Sequence, residues 1–126
     1  MILDSRTLVL VADGGRARIF EESRLGGPLT EHPDWLAGLA VHGESNPEKA
    51  EPAFLDRLCH RVDALFDKHG FEHLILIAAP RSLGLLRTRL SAKLKARLVL
   101  SEPHDRLAAS LDTIEHAVRA MRVASA

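Results

Sequence analysis

The chain has 126 residues, of which 46% are hydrophobic and 27% are charged. This composition is typical of one globular domain with a single core, and it excludes a low-complexity or fibrous chain. Its 17 basic and 17 acidic residues cancel, so the net charge indicates no particular class of partner.

The cysteine content and the apolar runs predict where the protein acts. A lone cysteine, Cys59, excludes an internal disulfide and is typical of a reducing compartment. The apolar run near the N-terminus is too short, and too closely flanked by Asp4 and Asp13, for a secretory signal. No apolar stretch has the length of a membrane span. We therefore expect a cytoplasmic protein without a membrane span.

Two continuous apolar runs, at residues 8–12 and 74–78, predict the central strands of a sheet. Neither run alternates apolar and polar residues, which indicates strands that are covered on both faces. Each run leads into a polar turn. In α/β sheets the ends of such strands carry the functional groups, so we expect the site there.

The first elements in chain order predict a hairpin and an edge strand. Residues 7–12 and 16–22 are expected to pair around Asp13, Gly14 and Gly15, because glycine accepts the positive φ of tight turns. The second of these strands alternates, so one of its faces should meet solvent or a partner. Residues 29–36 are expected to form an edge strand, and residues 37–52 a flexible loop.

The remaining chain predicts alternating helices and strands. The expected elements are a helix over 53–69 ended by Gly70, a strand over 73–78, a helix over 82–96, a strand over 97–100 and a last helix from position 103 or 104. The order β-β-β-α-β-α-β-α predicts a single α/β domain over residues 1–126, with a mixed sheet and helices on its faces.

Two segments carry a family resemblance. Residues 11–20 have the sequence Val-Ala-Asp-Gly-Gly-Arg-Ala-Arg-Ile-Phe, and residues 74–87 the sequence Leu-Ile-Leu-Ile-Ala-Ala-Pro-Arg-Ser-Leu-Gly-Leu-Leu-Arg. Together they resemble the signatures of the bacterial host-attachment protein family. The resemblance implies a requirement in attachment to host cells. It also implies a fold similar to the central domain of archaeal and eukaryotic peptide release factors, which acts on the ribosome, with an RNase H-like arrangement.

The same resemblance bears on catalysis. The release-factor domain uses a Gly-Gly-Gln tripeptide to hydrolyse peptidyl-tRNA, and this tripeptide does not occur in the chain. The resemblance therefore implies a non-catalytic module without a cofactor, whose partner is RNA, the ribosome or another protein.

The candidate binding residues at the strand ends are an aspartate and three arginines. If the strands at 7–12 and 73–78 are parallel, Asp13 and Arg81 share one edge of the sheet. An Asp13–arginine pair would then be a structural clamp or part of a site. Alternatively, Asp13 is a turn residue whose side chain bonds the turn backbone. The set consists of Asp13, Arg16, Arg18 and Arg81.

A basic run supplies the other candidate binding residues. No acidic residue occurs from position 73 to position 101. A basic helix face can bind phosphate backbones, or it can be a solvated face balanced by acids elsewhere. No aromatic residue lies within the run, so base stacking is not supported. The run contains Arg87, Arg89, Lys93, Lys95 and Arg97.

Two alternatives to the binding module remain. The first is a metal-dependent hydrolase or nuclease that uses Asp13 with Glu51 or Asp105, since RNase H-like nucleases carry an aspartate on the first strand. The second is a structural homodimer, joined through edge strand 29–36 or the exposed face of strand 16–22. Neither a complete catalytic set nor a complete metal-ligand set is evident in the sequence.

Overall fold

The computed structural model describes residues 5–39 and 46–125. The strands in these ranges are β1 (Thr7–Ala12), β2 (Ala17–Glu22), β3 (Leu29–Glu31), β4 (His73–Ala78) and β5 (Leu98–Pro103). The helices are α1 (Pro47–His69), α2 (Pro80–Arg89), α3 (Ala92–Arg97) and α4 (Leu111–Ser125), with a short 3₁₀ helix at Pro33–Leu36. None of the helices described is both long and apolar enough to cross a bilayer.

The strands form one mixed sheet in the order β3-β2-β1-β4-β5. Strand β1 is antiparallel to β2 and parallel to β4, and β4 is parallel to β5. The prediction of a single α/β domain with a mixed sheet and helices on its faces is confirmed. The carboxyl ends of β1, β4 and β5 therefore meet at one edge of the sheet, as the strand-end argument requires.

The sheet separates two hydrophobic clusters. Leu8 and Leu10 of β1 pack with α1, α2 and α3 on one face, whereas Val9 and Val11 pack with α4 on the other. Every residue of β1 is buried. The absence of alternation in this strand thus reflects its position between two helical layers.

Strand β2 does not have the exposed face that its alternation predicts. Ile19 packs in the cluster with α1, and Phe20 packs in the cluster with α4, and both are fully buried. The predicted edge strand over 29–36 is also wrong beyond Glu31, because Pro33 begins the 3₁₀ helix. The two large apolar residues of β2 are therefore not exposed for a dimer contact, and the edge at β3 has only three residues.

The predicted loop over 37–52 is wrong for its last part, because helix α1 begins at Pro47. The side chain of Asn46 caps this helix by accepting a hydrogen bond from Glu48 N at 3.0 Å, and proline suits the first helical position. The helix ends at Gly70, whose φ of +68° terminates it as predicted. The part of the loop at positions 40–45 lies outside the described residues.

Two further boundaries differ from the prediction because serine side chains cap helices there. The helix expected over 82–96 is broken, since Leu90 is extended and Ser91 caps α3 through Leu94 N. The last helix begins at Leu111 rather than at position 103 or 104, since Ser110 Oγ accepts from Thr113 N at 3.1 Å. Strand β5 consequently runs to Pro103.

Candidate functional site

The turn between β1 and β2 is held by the side chain of Asp13. Its Oδ1 accepts hydrogen bonds from Gly15 N at 2.9 Å and Arg16 N at 2.7 Å, and its backbone N–H donates to Arg16 O at 2.9 Å. The turn-residue interpretation of Asp13 agrees with this geometry. Neither Gly14 nor Gly15 has a positive φ, so the predicted reason for these glycines is wrong.

Gly14 has a different role, which is to admit the carboxylate of Glu51. A Cβ at position 14 would overlap that carboxylate. Glu51 Oε1 accepts a hydrogen bond from Arg81 Nε at 2.8 Å, and this hydrogen bond raises the pKa of the Arg81 guanidinium. Arg81 therefore lies at the expected edge of the sheet but pairs with Glu51 rather than with Asp13.

The two arginines of the hairpin have opposite surroundings. Arg18 donates to both carboxylate oxygens of Glu31, at 2.9 and 2.8 Å, and to the carbonyls of Leu107 and Ala109, at 3.0 and 2.6 Å. It ties β2 to β3 and to the segment before α4. Arg16 is 78% exposed, and its nearest carboxylate oxygen, on Asp13, is 3.5 Å away. Arg16 is thus the cation of this pair that a ligand can reach.

Beside the turn lies a cleft of about 330 Å³. Its walls are mostly apolar and come from separate segments, namely the start of β2, the 3₁₀ helix, α1 and the segment before α4. No spacing in the sequence indicates such a cleft, because folding alone brings the segments together. The lining residues are Gly15, Arg16, Ala17, Arg18, Leu36, Leu39, Phe54 and Leu107.

Two members of the basic run are neutralised by α1. Arg89 Nε lies 2.9 Å from Asp56 Oδ1, and Lys93 Nζ lies 3.1 Å from Asp63 and 2.7 Å from Asp67. The three aspartates follow one another at helical spacing, so they share a side of α1. That acidic stripe is the sequence signal that would have predicted the pairing.

The other members of the basic run form an exposed group, which we call the basic flank: Arg87, Lys95 and Arg97. Arg87 donates to Ser101 Oγ of β5, and Arg97 immediately precedes β5, so the flank lies along this edge of the sheet. In the described part of the chain, no carboxylate lies within 4 Å of any of the three cations. They remain free to bind an anionic partner.

The carboxylates proposed for metal chemistry have other partners. Glu51 bonds Arg81, and Asp105 Oδ1 lies 3.3 Å from Leu107 N, which donates to it. Within residues 5–39 and 46–125, no three His, Cys, Asp or Glu side chains are grouped closely enough to hold a metal ion. This geometry gives the hydrolase alternative no specific support.

The sequence comparison identifies the family of the chain. Residues 37–118 match the family described as "Protein required for attachment to host cells", which is more than half of the chain. The chain belongs to this family. The match includes the signature at 74–87 and begins after the hairpin signature at 11–20. Among curated proteins, none matches the chain. Family membership suggests a role in attachment to host cells.

Proposed function

We propose that the protein supports host attachment as a non-catalytic module that binds RNA through the basic flank. The observation that carries this proposal is the set of exposed cations at Arg87, Lys95 and Arg97, which lack carboxylate partners among the described residues. A cation that is already paired within a protein neutralises a phosphate poorly, so it releases few of the counterions that are condensed on the nucleic acid. An unpaired cation neutralises a phosphate and releases these counterions, and this release drives association.

The chemistry of the flank favours a phosphate backbone. Two of its three cations are arginines, and the planar guanidinium matches the geometry of phosphate oxygens. The flank has no aromatic residue, so the contact is with the backbone rather than with stacked bases. The expected likeness of the family to the release-factor central domain favours RNA, bound in the cytoplasm, over an acidic protein surface.

The catalytic part of that likeness does not extend to this chain. The sequence contains no Gly-Gly-Gln, so we propose that the RNA contact positions the protein and that no peptidyl-tRNA is hydrolysed. Attachment to host cells then depends on the protein being bound to RNA, rather than on a reaction that it catalyses.

The test is fluorescence anisotropy of the protein with labelled tRNA and with a short RNA hairpin, at several salt concentrations. Three phosphate contacts predict that log K falls against log salt with a slope of about −2 to −3. The variant with Arg87→Glu, Lys95→Glu and Arg97→Glu should lose binding at every salt concentration.

A matched control separates the flank from the overall charge. Arg24, Arg57 and Arg119 are also exposed and have no carboxylate partner in the described ranges. Changing these three to glutamate alters the net charge by the same amount. The control variant should bind almost as tightly as the wild type. Equal loss in both variants, or no binding by the wild type at low salt, would refute the assignment to the flank.

The attachment role is tested in cells that lack the protein. Expression of the control variant should restore attachment to host cells, whereas expression of the flank variant at the same level should not. Restoration by both variants would show that attachment does not require the flank, whatever the RNA binding in solution.

A further inference from the structure

The cleft and the Glu51 carboxylate are neighbours at the carboxyl edge of the sheet. Glu51 lies against Gly14. The residue after Gly14, which is Gly15, lines the cleft, and so does Phe54, which follows Glu51 by about one turn of α1. Strands β1 and β4 both end here, and ligands of α/β sheets bind outside the carboxyl ends of the strands.

The walls of the cleft suit an apolar group. Leu39 and Phe54 are 7% and 5% exposed, and Leu36 and Leu107 complete the lining. The volume of about 330 Å³ is in the range of small-molecule sites rather than of macromolecular grooves. The ligand that fits these walls is therefore a compact molecule with an apolar body.

The rim of the cleft supplies positive charge. Arg18 is engaged by Glu31 and two carbonyls, which leaves Arg16 as the lining cation that projects into solvent. Against the same turn lies the Glu51 carboxylate, which accepts from Arg81 and whose side chain is only 19% exposed. The chain thus already places one carboxylate at this edge, in the space that the missing side chain of Gly14 leaves.

We propose that the cleft binds a small organic anion, with its apolar body between Leu39 and Phe54 and its terminal carboxylate at Arg16. The negative charge of Glu51 opposes binding of this anion, since its carboxylate lies against Gly14, the neighbour of the lining residue Gly15. The ligand site is separate from the basic flank, because β1 and β4 lie between β2 and β5. The proposal for RNA binding can therefore fail without affecting it.

The experiment titrates the protein with octanoate and follows the amide resonances of Gly15 and Ala17 by NMR. Octanamide serves as the uncharged probe of the same shape, and acetate as the anion without an apolar body. Octanoate should bind more tightly than either. Arg16→Gln should weaken octanoate binding by about fivefold, which corresponds to an exposed ion pair of about 1 kcal/mol.

The variant Glu51→Gln should strengthen octanoate binding by a similar factor and leave octanamide binding unchanged. Arg24→Gln, the same substitution at an exposed arginine away from the cleft, should have no effect. The flank variant should bind octanoate like the wild type. The proposal is overturned by equal binding of octanoate and octanamide, by equal effects of Arg16→Gln and Arg24→Gln, or by a wild-type protein that binds none of the three probes.

Discussion

A buried ion pair between β2 and α4 gives the sharpest test of how the helix is held on the sheet. Glu22 is 1% exposed, and its two carboxylate oxygens each accept a hydrogen bond from Arg122, both at 2.6 Å. The only other donor to this carboxylate among the described residues is Gly26 N, at 3.3 Å. Arg122→Ala therefore leaves a buried carboxylate almost without partners.

The expected loss of stability follows from that burial. Removing one partner of a buried pair costs about 3–5 kcal/mol. Because the Arg122 side chain is 23% exposed, water can reach part of the site, and we expect about 3 kcal/mol. At this chain length 1 kcal/mol corresponds to about 4 °C in the melting temperature, so Arg122→Ala should melt about 12 °C below the wild type.

The measurement is thermal and urea unfolding followed by circular dichroism, with a double-mutant cycle. Adding Glu22→Gln to Arg122→Ala removes the buried charge and should recover part of the lost stability. Arg119→Ala, on the same helix but exposed, should stay within about 0.5 kcal/mol of the wild type. An Arg122→Ala variant no less stable than Arg119→Ala would show that the pair does not hold α4 on the sheet. A double variant that loses as much as Arg122→Ala and Glu22→Gln lose separately would show the same.

Three further predictions concern acid stability, the thiol and the turn. The Arg18 guanidinium lowers the pKa of Glu31 below its ordinary value of 4.5, so this contact stabilises the fold above about pH 4.5 and is lost as the pH falls below it. Glu31→Gln should therefore reduce the free energy of unfolding at neutral pH but not in acid. A difference between variant and wild type that stays constant with pH would contradict this. Burial raises the pKa of the Cys59 thiol to about 11, so Ellman's reagent at about pH 8 should react with this thiol only as fast as the protein unfolds. Immediate reaction with the folded protein would contradict this. Gly14→Ala should displace the flexible end of the Glu51 side chain and leave the melting temperature within about 4 °C of the wild type. A larger fall in the melting temperature would contradict this.

The central part of the fold could be predicted from local sequence because its signals are local. The continuous apolar runs at 8–12 and 74–78 predicted β1 and β4, and the stripe that includes Leu55, Leu58 and Val62 predicted α1. The boundaries that failed depend on single capping groups. Ser91 and Ser110 each stop or start a helix through one hydrogen bond, which hydrophobic periodicity does not reveal.

The candidate site was only partly predictable, because its chemistry depends on pairing across the fold. The sequence placed Asp13 and Arg81 at one edge, and they are there. The sequence could not show that Glu51 would pair with Arg81, since these residues are separated by a strand and most of a helix. The apolar cleft has the same origin, because Leu39, Phe54 and Leu107 become neighbours only in the folded chain.

This pairing also decides how the basic run must be tested. Arg89 and Lys93 are candidates for RNA binding by sequence. In the structure, Arg89 joins α2 to the acidic stripe of α1, and Lys93 joins α3 to it. Changing either one to glutamate would place like charges together and disturb this packing. A loss of RNA binding in such a variant would therefore report on folding as well as on binding. Within the basic run, the cations of the flank are the ones that can be reversed without disturbing an ion pair among the described residues, so the triple variant at those positions is the one whose RNA affinity tests the surface itself.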